Sequence, residues 1–340
     1  MHKNLIPDGL SLLVVGSLND HEADRSMKRS SIRSVQVIGA SQEADTAEFF
    51  SRWGICGVSS MAFDPVHSEV LYVATSRKIV RVDCSGPKVT ELEIDGLEDI
   101  HEMTVVGNDL LIANTGNDEI VKWKLDGNGR IERINLKQYS DSSPPHATTD
   151  EEMVDTFHCN QGFEDLERNL CVLVHHIEGR QILKRIAQKI LKSQGTGGVL
   201  ELKAGRKIPL NLKAPHTVRT CGDQYVVLNS GHFLLQVYDE AWTLLQRVST
   251  EGFGRGGQFD QRSGLFFAGV SATRKRYLDI IPTGKTVENT VLVFSSNDWM
   301  RVGQIDVHDI EQINNVYLIP AALGQQLLSL DARLESFALD

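Results

Sequence analysis

The clearest internal repeat of the chain pairs IHEMTVVGNDLLIANTGNDEIVKWKLDG, residues 100–127, with APHTVRTCGDQYVVLNSGHFLLQVYDE, residues 214–240. Each copy begins with a polar stretch that contains a histidine and continues into a first strand. A Gly-Asn-Asp or Gly-Asp-Gln turn then leads into a strongly apolar second strand. The second strands, LLIANTG and YVVLNSG, align residue for residue. Such self-similarity indicates that one supersecondary unit is repeated along the chain.

Four weaker copies of this unit occur at 57–83, 157–176, 254–271 and 311–320. The six copies start near residues 57, 101, 158, 216, 255 and 312, at a spacing of about 40 to 58 residues, which is typical of one four-stranded blade with its loops. All are rich in Val, Leu, Ile and aromatic residues and are bounded by turn residues. The sequence therefore predicts an all-β fold, a six-bladed β-propeller that forms a single domain over residues 1–340.

A propeller leaves no bare sheet edge when an N-terminal strand completes the last blade. Two segments suit this closure, LSLLVVG at 10–16 and SVQVIGA at 34–40. Either one is expected to pair with the strand in the last repeat.

Two segments interrupt the repeat. Residues 138–156 are polar, acidic and contain proline, and they predict a long loop over one face. Residues 180–193, RQILKRIAQKILKS, predict a short amphipathic helix with a basic side. We interpret this helix as an insertion packed on its own propeller; a lid, a membrane-surface contact and a partner site are the alternatives.

Composition excludes several classes of protein. The net charge of −10 argues against a general nucleic-acid binder. No apolar run is long enough to predict a membrane span, and no signal peptide is recognisable, so a cytoplasmic location is expected. The five cysteines, Cys56, Cys84, Cys159, Cys171 and Cys221, show no CxxC spacing and are expected to be buried core residues.

The starts of the repeats carry an unusual set of polar residues, namely His101, Glu102, His158, Asn160, His216, Arg219, Arg255 and Glu311. At equivalent points of six blades, these side chains are expected to converge near the propeller axis. Histidine, arginine and carboxylate groups in a dry site shift one another's pKa values, which favours acid–base catalysis or metal binding.

We predict catalytic roles for His158, His216, His101 and Glu311, and substrate binding by Asn160, Arg219, Arg255 and Glu102. His158 and Asn160 alternate along FHCNQGF, so on a strand both point one way; binding a substrate, ligating a metal and filling the tunnel remain open for them. Arg219 lies three residues after His216, so regular alternation puts it on the other face unless a bulge intervenes. Arg255 lies among glycines in GFGRGGQF and is suited to hold a carboxylate or phosphate.

Other motifs are weaker. GFGRGG, 252–257, matches GxGxxG, but a strand rather than a helix is predicted after it, so we discount nucleotide binding. The pair His175-His176 ends an apolar strand, and we interpret it as a blade-edge pair rather than as ligands. No HExxH, Walker A or GxSxG sequence occurs.

Several segments resemble a bacterial family of propeller-like proteins of unknown function, the DUF4915 type. The similar segments are DIHEMTVVGNDLLIANT (99–115), FHCNQGF (157–163), GGVLELK (197–203), PHTVRTCGDQYVVLNSG (215–231), GVSATRKR (269–276) and EQINNVYLIP (311–320). They keep the family's order over roughly residues 55–320. The resemblance implies a propeller fold and carries no activity with it.

Two functions fit these observations. The first is an enzyme that acts on a small polar or anionic molecule by hydrolysis, elimination or isomerisation, with His158 and His216 as acid and base. A divalent metal such as Ca²⁺ at the axis is a variant of this function. The second is a non-enzymatic scaffold that binds a protein partner through one face or through the basic helix.

Overall fold

The computed structural model describes residues 4–17, 35–52, 57–86, 88–126, 129–140, 156–179, 195–271 and 288–330. The predicted helix at 180–193 and most of the predicted loop at 138–156 lie outside these residues. Within them, the chain forms six antiparallel sheets of four strands each, arranged as the blades of a β-propeller. The predicted fold class is therefore confirmed.

The strands follow the chain in order, with the first three completing the last blade. They are β1 (Leu10–Ser17), β2 (Val35–Ile38) and β3 (Ala44–Thr46). Blade one contains β4 (Ser60–Phe63), β5 (Val70–Ala74), β6 (Ile79–Asp83) and β7 (Lys88–Glu91). Blade two contains β8 (Ile100–Val106), β9 (Asp109–Asn114), β10 (Glu119–Lys124) and β11 (Ile131–Asn135). Blade three contains β12 (Cys159–Glu164), β13 (Leu170–Val174), β14 (Gly197–Glu201) and β15 (Arg206–Leu212).

The second half of the ring has the same plan. Blade four contains β16 (Pro215–Cys221), β17 (Gln224–Asn229), β18 (Leu234–Tyr238) and β19 (Leu244–Ser249). Blade five contains β20 (Phe253–Asp260), β21 (Leu265–Ser271), β22 (Thr290–Ser295) and β23 (Arg301–Asp306). Blade six begins with β24 (Gln312–Pro320) and continues with β1, β2 and β3. The six inner strands, β4, β8, β12, β16, β20 and β24, coincide with the six predicted repeat starts.

The ring closes through blade six. Strand β24 pairs antiparallel with β1 from Leu10↔Pro320 to Ser17↔Gln312, and β1 in turn pairs with β2. Both candidate closing segments are therefore used. The Tyr317 hydroxyl then accepts a hydrogen bond of 2.7 Å from the Met61 backbone N–H, which joins the last blade to the first.

The hydrophobic core lies between neighbouring blades. Six apolar clusters fill the six gaps, each built from residues of two adjacent blades. Four predicted core cysteines, Cys84, Cys159, Cys171 and Cys221, are buried free thiols, as expected, whereas Cys56 lies outside the described residues. Burial raises the pKa of Cys84 to about 11 and that of Cys221 to about 12, so neither thiol is a nucleophile at neutral pH.

One α-helix occurs among the described residues, α1 (Ala321–Ser329), and the sequence reasoning did not predict it. It follows Pro320 directly, and Leu323 and Leu327, one turn apart, pack into the cluster between blades six and one. No helix within the described ranges combines the length and apolar character needed to cross a membrane.

The repeated Asn-Thr-Gly and Asn-Ser-Gly segments join each blade to its surroundings. In blade two, Asn114 Oδ1 accepts from the Glu98 N–H at 2.6 Å, and the Thr115 hydroxyl donates to the carbonyl of Cys159 in blade three. In blade four, Asn229 accepts from the Lys213 N–H at 2.9 Å, and the Ser230 hydroxyl donates to the carbonyl of Gly254 in blade five. The residue after Asn thus tethers its blade to the next inner strand.

Candidate functional site

Besides β24, where Asn314 is the inserted residue, four inner strands contain a β-bulge close to their start. The pairing register shifts between Ile100 and Met103 in β8, Cys159 and Gln161 in β12, His216 and Val218 in β16, and Gly254 and Gly257 in β20. A bulge interrupts side-chain alternation and turns a residue toward a new direction. The residues inserted by these bulges include His101, Asn160, Thr217 and Arg255.

Four imidazole rings meet where these strands begin. The ring centroids lie 4.9 Å apart for His101 and His158, 4.2 Å for His158 and His175, 5.5 Å for His175 and His216, and 6.0 Å for His101 and His216. We call these four residues the histidine cluster. The structure therefore brings together the three histidines that the sequence predicted and adds His175.

The orientation of His101 is fixed by two oxygens. Its Nδ1 lies 2.6 Å from Asn160 Oδ1, and the Asn160 amide nitrogen donates to the carbonyl of Pro215. The Asn160 oxygen therefore accepts, and His101 Nδ1 carries a proton. On the other side of the ring, Asp99 Oδ2 lies 3.4 Å from Nε2. Asn160, predicted to bind substrate, thus has both ends of its amide engaged in orienting His101.

The tautomer of His216 follows from its partners. Its Nδ1 lies 3.0 Å from the carbonyl oxygen of Ala214 and 3.1 Å from the Ser230 hydroxyl. A carbonyl oxygen only accepts, so Nδ1 carries the proton. In a neutral ring, Nε2 then holds the free electron pair, which is the arrangement of a general base.

Burial keeps His101, His175 and His216 of the histidine cluster uncharged at neutral pH. Loss of solvent, and then the neighbouring His158 and His216, hold the pKa of His175 well below its usual range. Loss of solvent and the Arg255 charge do the same to the pKa of His216. For His101, loss of solvent lowers the pKa although Asp99 opposes this. His101 also holds the pKa of Asp99 low, against the effect of burial, so this carboxylate is charged at neutral pH.

Sequence reasoning treated His175 as part of a blade-edge pair, but the structure places it in the cluster. Three inner strands begin with an equivalent cross-strand pair, namely Ile100↔Asn114, Cys159↔Val174 and Pro215↔Asn229. The residue that follows the second member of each pair is Thr115 in blade two, His175 in blade three and Ser230 in blade four. The His175 Nε2 is buried and has no hydrogen-bond partner within the described part of the chain. The sequence signal for His175 was a histidine at the position where other blades have a Thr or Ser hydroxyl. This signal can be seen only after the repeats have been aligned.

Arg255 approaches the cluster on a glycine-rich strand and is only 8% exposed. Gly256 follows with a positive φ of 71°, and a Cβ at this residue would lie 2.3 Å from the Asn315 Cα. Glycine is therefore required for β20 to pass so close to β24. The consequence is a buried guanidinium beside His216.

Glu102 and Arg219, both predicted to bind substrate, form an ion pair with each other, with Oε1 and Nη2 2.7 Å apart. The bulge in β16 lets Arg219 reach this partner. Thr217 donates to the second Glu102 oxygen at 3.5 Å and accepts from the Gly256 N–H at 3.0 Å. The pair lines a cavity whose described walls include none of the four histidines, so these two residues belong to the other end of the axis.

Glu311, predicted to orient a histidine, is exposed directly before β24. Asp99 is the carboxylate that lies beside His101. A catalytic role for Glu311 stays a prediction.

The cluster does not fit Ca²⁺, because this ion prefers six to eight oxygen ligands and the cluster offers imidazole nitrogens. Among the described residues, no three or more His, Cys, Asp and Glu side chains are arranged to hold a metal ion.

Comparison with known proteins reveals a shared fold. No known protein family matches the chain, and no curated protein is similar to it in sequence. A chain of the nidogen/laminin complex is 13% identical to this chain, with a TM-score of 0.58. The match covers 92% of this chain and 98% of that chain. A luciferin-regenerating enzyme is 13% identical, with a TM-score of 0.51, and the match covers 82% of this chain and 88% of that chain. A protein of unknown function from Bacteroides caccae is 11% identical, with a TM-score of 0.54, and the match covers 92% of this chain and 99% of that chain.

These likenesses extend to the fold alone. They include an enzyme and a protein found in a complex with another protein, so propellers of this architecture serve both purposes.

Proposed function

We propose that the protein is an enzyme that acts on a small polar or anionic molecule at the histidine cluster by acid–base chemistry. The observation that carries the proposal is His216, a buried and uncharged imidazole whose Nδ1 proton is held by a carbonyl oxygen. A general base needs a free nitrogen in a defined direction, and this arrangement supplies one at Nε2.

The neighbouring residues supply the remaining roles. His101 is neutral at rest and lies between the Asn160 oxygen and the Asp99 carboxylate, so a proton that it takes up during the reaction is stabilised by two contacts and can be returned to the substrate as from a general acid. Arg255 is the cation beside His216 and suits an anionic oxygen of the substrate. His158 and His175 complete the wall of the site. One base and one acid on opposite sides of a substrate serve hydrolysis, elimination and isomerisation alike.

The second candidate function is a scaffold that binds a protein, and the neighbour in the nidogen/laminin complex supports it. The proposed membership of the DUF4915-type family is compatible with either function, since it rests on motif order and on a structural neighbour of unknown function.

A ligand screen followed by one substitution tests the enzyme. Small carboxylates, phosphate esters and carboxylic esters are screened for thermal stabilisation, and the stabilising compounds are assayed for turnover. His216→Asn is expected to lower kcat about 100- to 10,000-fold, the usual loss when a general base is removed. His67→Asn, at an exposed turn of blade one, is the matched control and is expected to keep full activity. Turnover that survives His216→Asn would exclude this mechanism, and the absence of turnover for every stabilising compound would favour the scaffold.

A further inference from the structure

A cavity lies at the end of the propeller axis opposite the histidine cluster. Its volume is about 680 Å³, which is within the range of small-molecule sites. It is lined where the inner strands end, by Phe63 of β4, Val106 of β8, Glu164 of β12 and Thr220 of β16. The histidine cluster lies where these strands begin, so the two sites are on opposite sides of the layer formed by Glu102, Thr217 and Gly256.

Arg219 gives this cavity hydrogen-bond donors. A guanidinium has five N–H groups, and Arg219 uses one on Glu102 and one on the Val218 carbonyl, at 2.7 and 2.8 Å. The other three N–H groups of Arg219 have no partner within the described residues. Of the Arg219 side chain, 18% is exposed. Glu102 has lone pairs beyond those used by Arg219 and Thr217 and adds acceptors at the same place.

The charges at this point of the cavity cancel. Arg219 and Glu102 form a close pair, and the second ion pair of the lining, Arg168 with Glu164 at 2.9 Å, is at the exposed rim. A charged ligand beside the inner pair would introduce an uncompensated charge into a largely buried site, which is costly. A neutral group that accepts from Arg219 and donates to Glu102 avoids this cost.

The remaining lining is mixed in character. One further carboxylate, the buried Asp165, belongs to it, but its oxygens accept from the backbone N–H groups of Glu167 and Asn169 and from the Asn169 side-chain amide. The lining includes apolar residues, among them Phe63, Val105 and Leu166, and uncharged polar residues, among them Thr104, Thr220 and Gln258. Such a wall favours a molecule with an apolar body and one hydrogen-bonding end.

We propose that this cavity is a second binding site, for a small net-neutral molecule that carries a carboxamide or hydroxyl group on an apolar body. The polar group contacts Arg219 and Glu102, and the body lies toward the mouth. The site is independent of the proposed catalysis at the histidine cluster.

Three probes of equal size test the charge preference. Phenylacetamide, phenylacetate and phenethylammonium share the phenyl body and have a neutral, an anionic and a cationic polar end, and their binding is measured by ligand-observed NMR. Phenylacetamide is expected to bind about tenfold more tightly than either charged probe, because only it preserves the charge balance of the Arg219–Glu102 pair. Equal binding of the three probes, or no binding of the amide, would overturn the proposal.

Two tryptophan substitutions locate the binding. Thr220 is exposed and lines the cavity, whereas Thr90 is exposed on β7, the outer strand of blade one. Thr220→Trp is expected to abolish phenylacetamide binding by filling the cavity, and Thr90→Trp is expected to leave it unchanged. Binding that survives Thr220→Trp places the probe elsewhere and contradicts the proposal. His216→Asn is expected to leave phenylacetamide binding intact, which separates this site from the catalytic one.

Glu102→Gln tests the charge argument itself. Removal of the carboxylate charge leaves Arg219 uncompensated, so the preference is expected to change from phenylacetamide to phenylacetate. An unchanged preference in a variant with the circular-dichroism spectrum of the wild type would overturn the assignment of Glu102 and Arg219 as the contacts. If this variant does not fold, the probe series and Thr220→Trp decide the proposal without it.

Discussion

Acidification from pH 7 to pH 5 is expected to lower the free energy of unfolding steeply. His101, His175 and His216 have pKa values below their usual range in the folded chain, so the unfolded chain binds more protons once the pH falls below about 6.5. The contribution of these histidines to the free energy of unfolding is complete above about pH 6.5, and it is lost as the pH falls toward their pKa values in the folded chain. Each histidine contributes at most about 1.4 kcal/mol per pH unit, and the three together about 4. Urea unfolding at a series of pH values measures the slope.

Two variants test whether the histidine cluster causes this dependence of the free energy of unfolding on pH. His175→Thr restores the hydroxyl found at Thr115 and Ser230, removes one proton-binding group and is expected to reduce the slope by about a third. His67→Asn changes an exposed histidine and is expected to leave the slope as in the wild type. A wild-type slope no steeper than that of His175→Thr would show that His175 is not held neutral by the fold.

Asp118→Ala is expected to destabilise the protein by about 3 to 5 kcal/mol, because buried donors lose their acceptor. Asp118 is fully buried, and its carboxylate accepts from the backbone N–H groups of Thr156, Phe157 and His158. These bonds hold the start of blade three, where His158 has a positive φ of 51°. Asp118→Asn keeps one acceptor oxygen and is expected to cost less. Equilibrium unfolding in urea measures both changes.

Asp260→Ala provides the comparison for Asp118. Asp260 also accepts from a backbone N–H, that of Ser263 at 3.0 Å, but in a turn that water reaches. Its loss is expected to cost less than about 1 kcal/mol, since water replaces the carboxylate. Similar costs for Asp118→Ala and Asp260→Ala would contradict the role given to Asp118.

The fold was predictable because each blade must repeat the same contacts. LLIANTG and YVVLNSG are similar because Asn114 and Asn229 make equivalent bonds, as do Thr115 and Ser230. Helix α1 was missed because it follows the last repeat and takes part in no repeated contact.

The position of the site at the repeat starts was predictable, but the direction of its side chains was not. His101 and Glu102 are neighbours in sequence, yet one joins the histidine cluster and the other the opposite cavity, because both lie in a bulge. Periodicity cannot show a bulge where non-glycine residues such as His158 and Thr217 adopt positive φ.

Residues that depart from the repeat escaped prediction for a related reason. Asp118 stands where blade four has Phe233, and both have positive φ. Asp99 lies before the strand rather than on it. Asp118 acts through its contacts with the start of blade three, and Asp99 acts through its contact with His101 at the bulge of blade two; only the folded chain creates these contacts.

The proposed site requires that His101, His175 and His216 are neutral and that the proton of His216 is on Nδ1. Nitrogen NMR of protein labelled on histidine, titrated from pH 8 to pH 5, tests this requirement most directly, with His175→Thr and His216→Asn to assign the signals. We expect His175 and His216 to stay uncharged well below pH 6.5, with the His216 proton on Nδ1. Titration of all eleven histidines near pH 6.5 would contradict it.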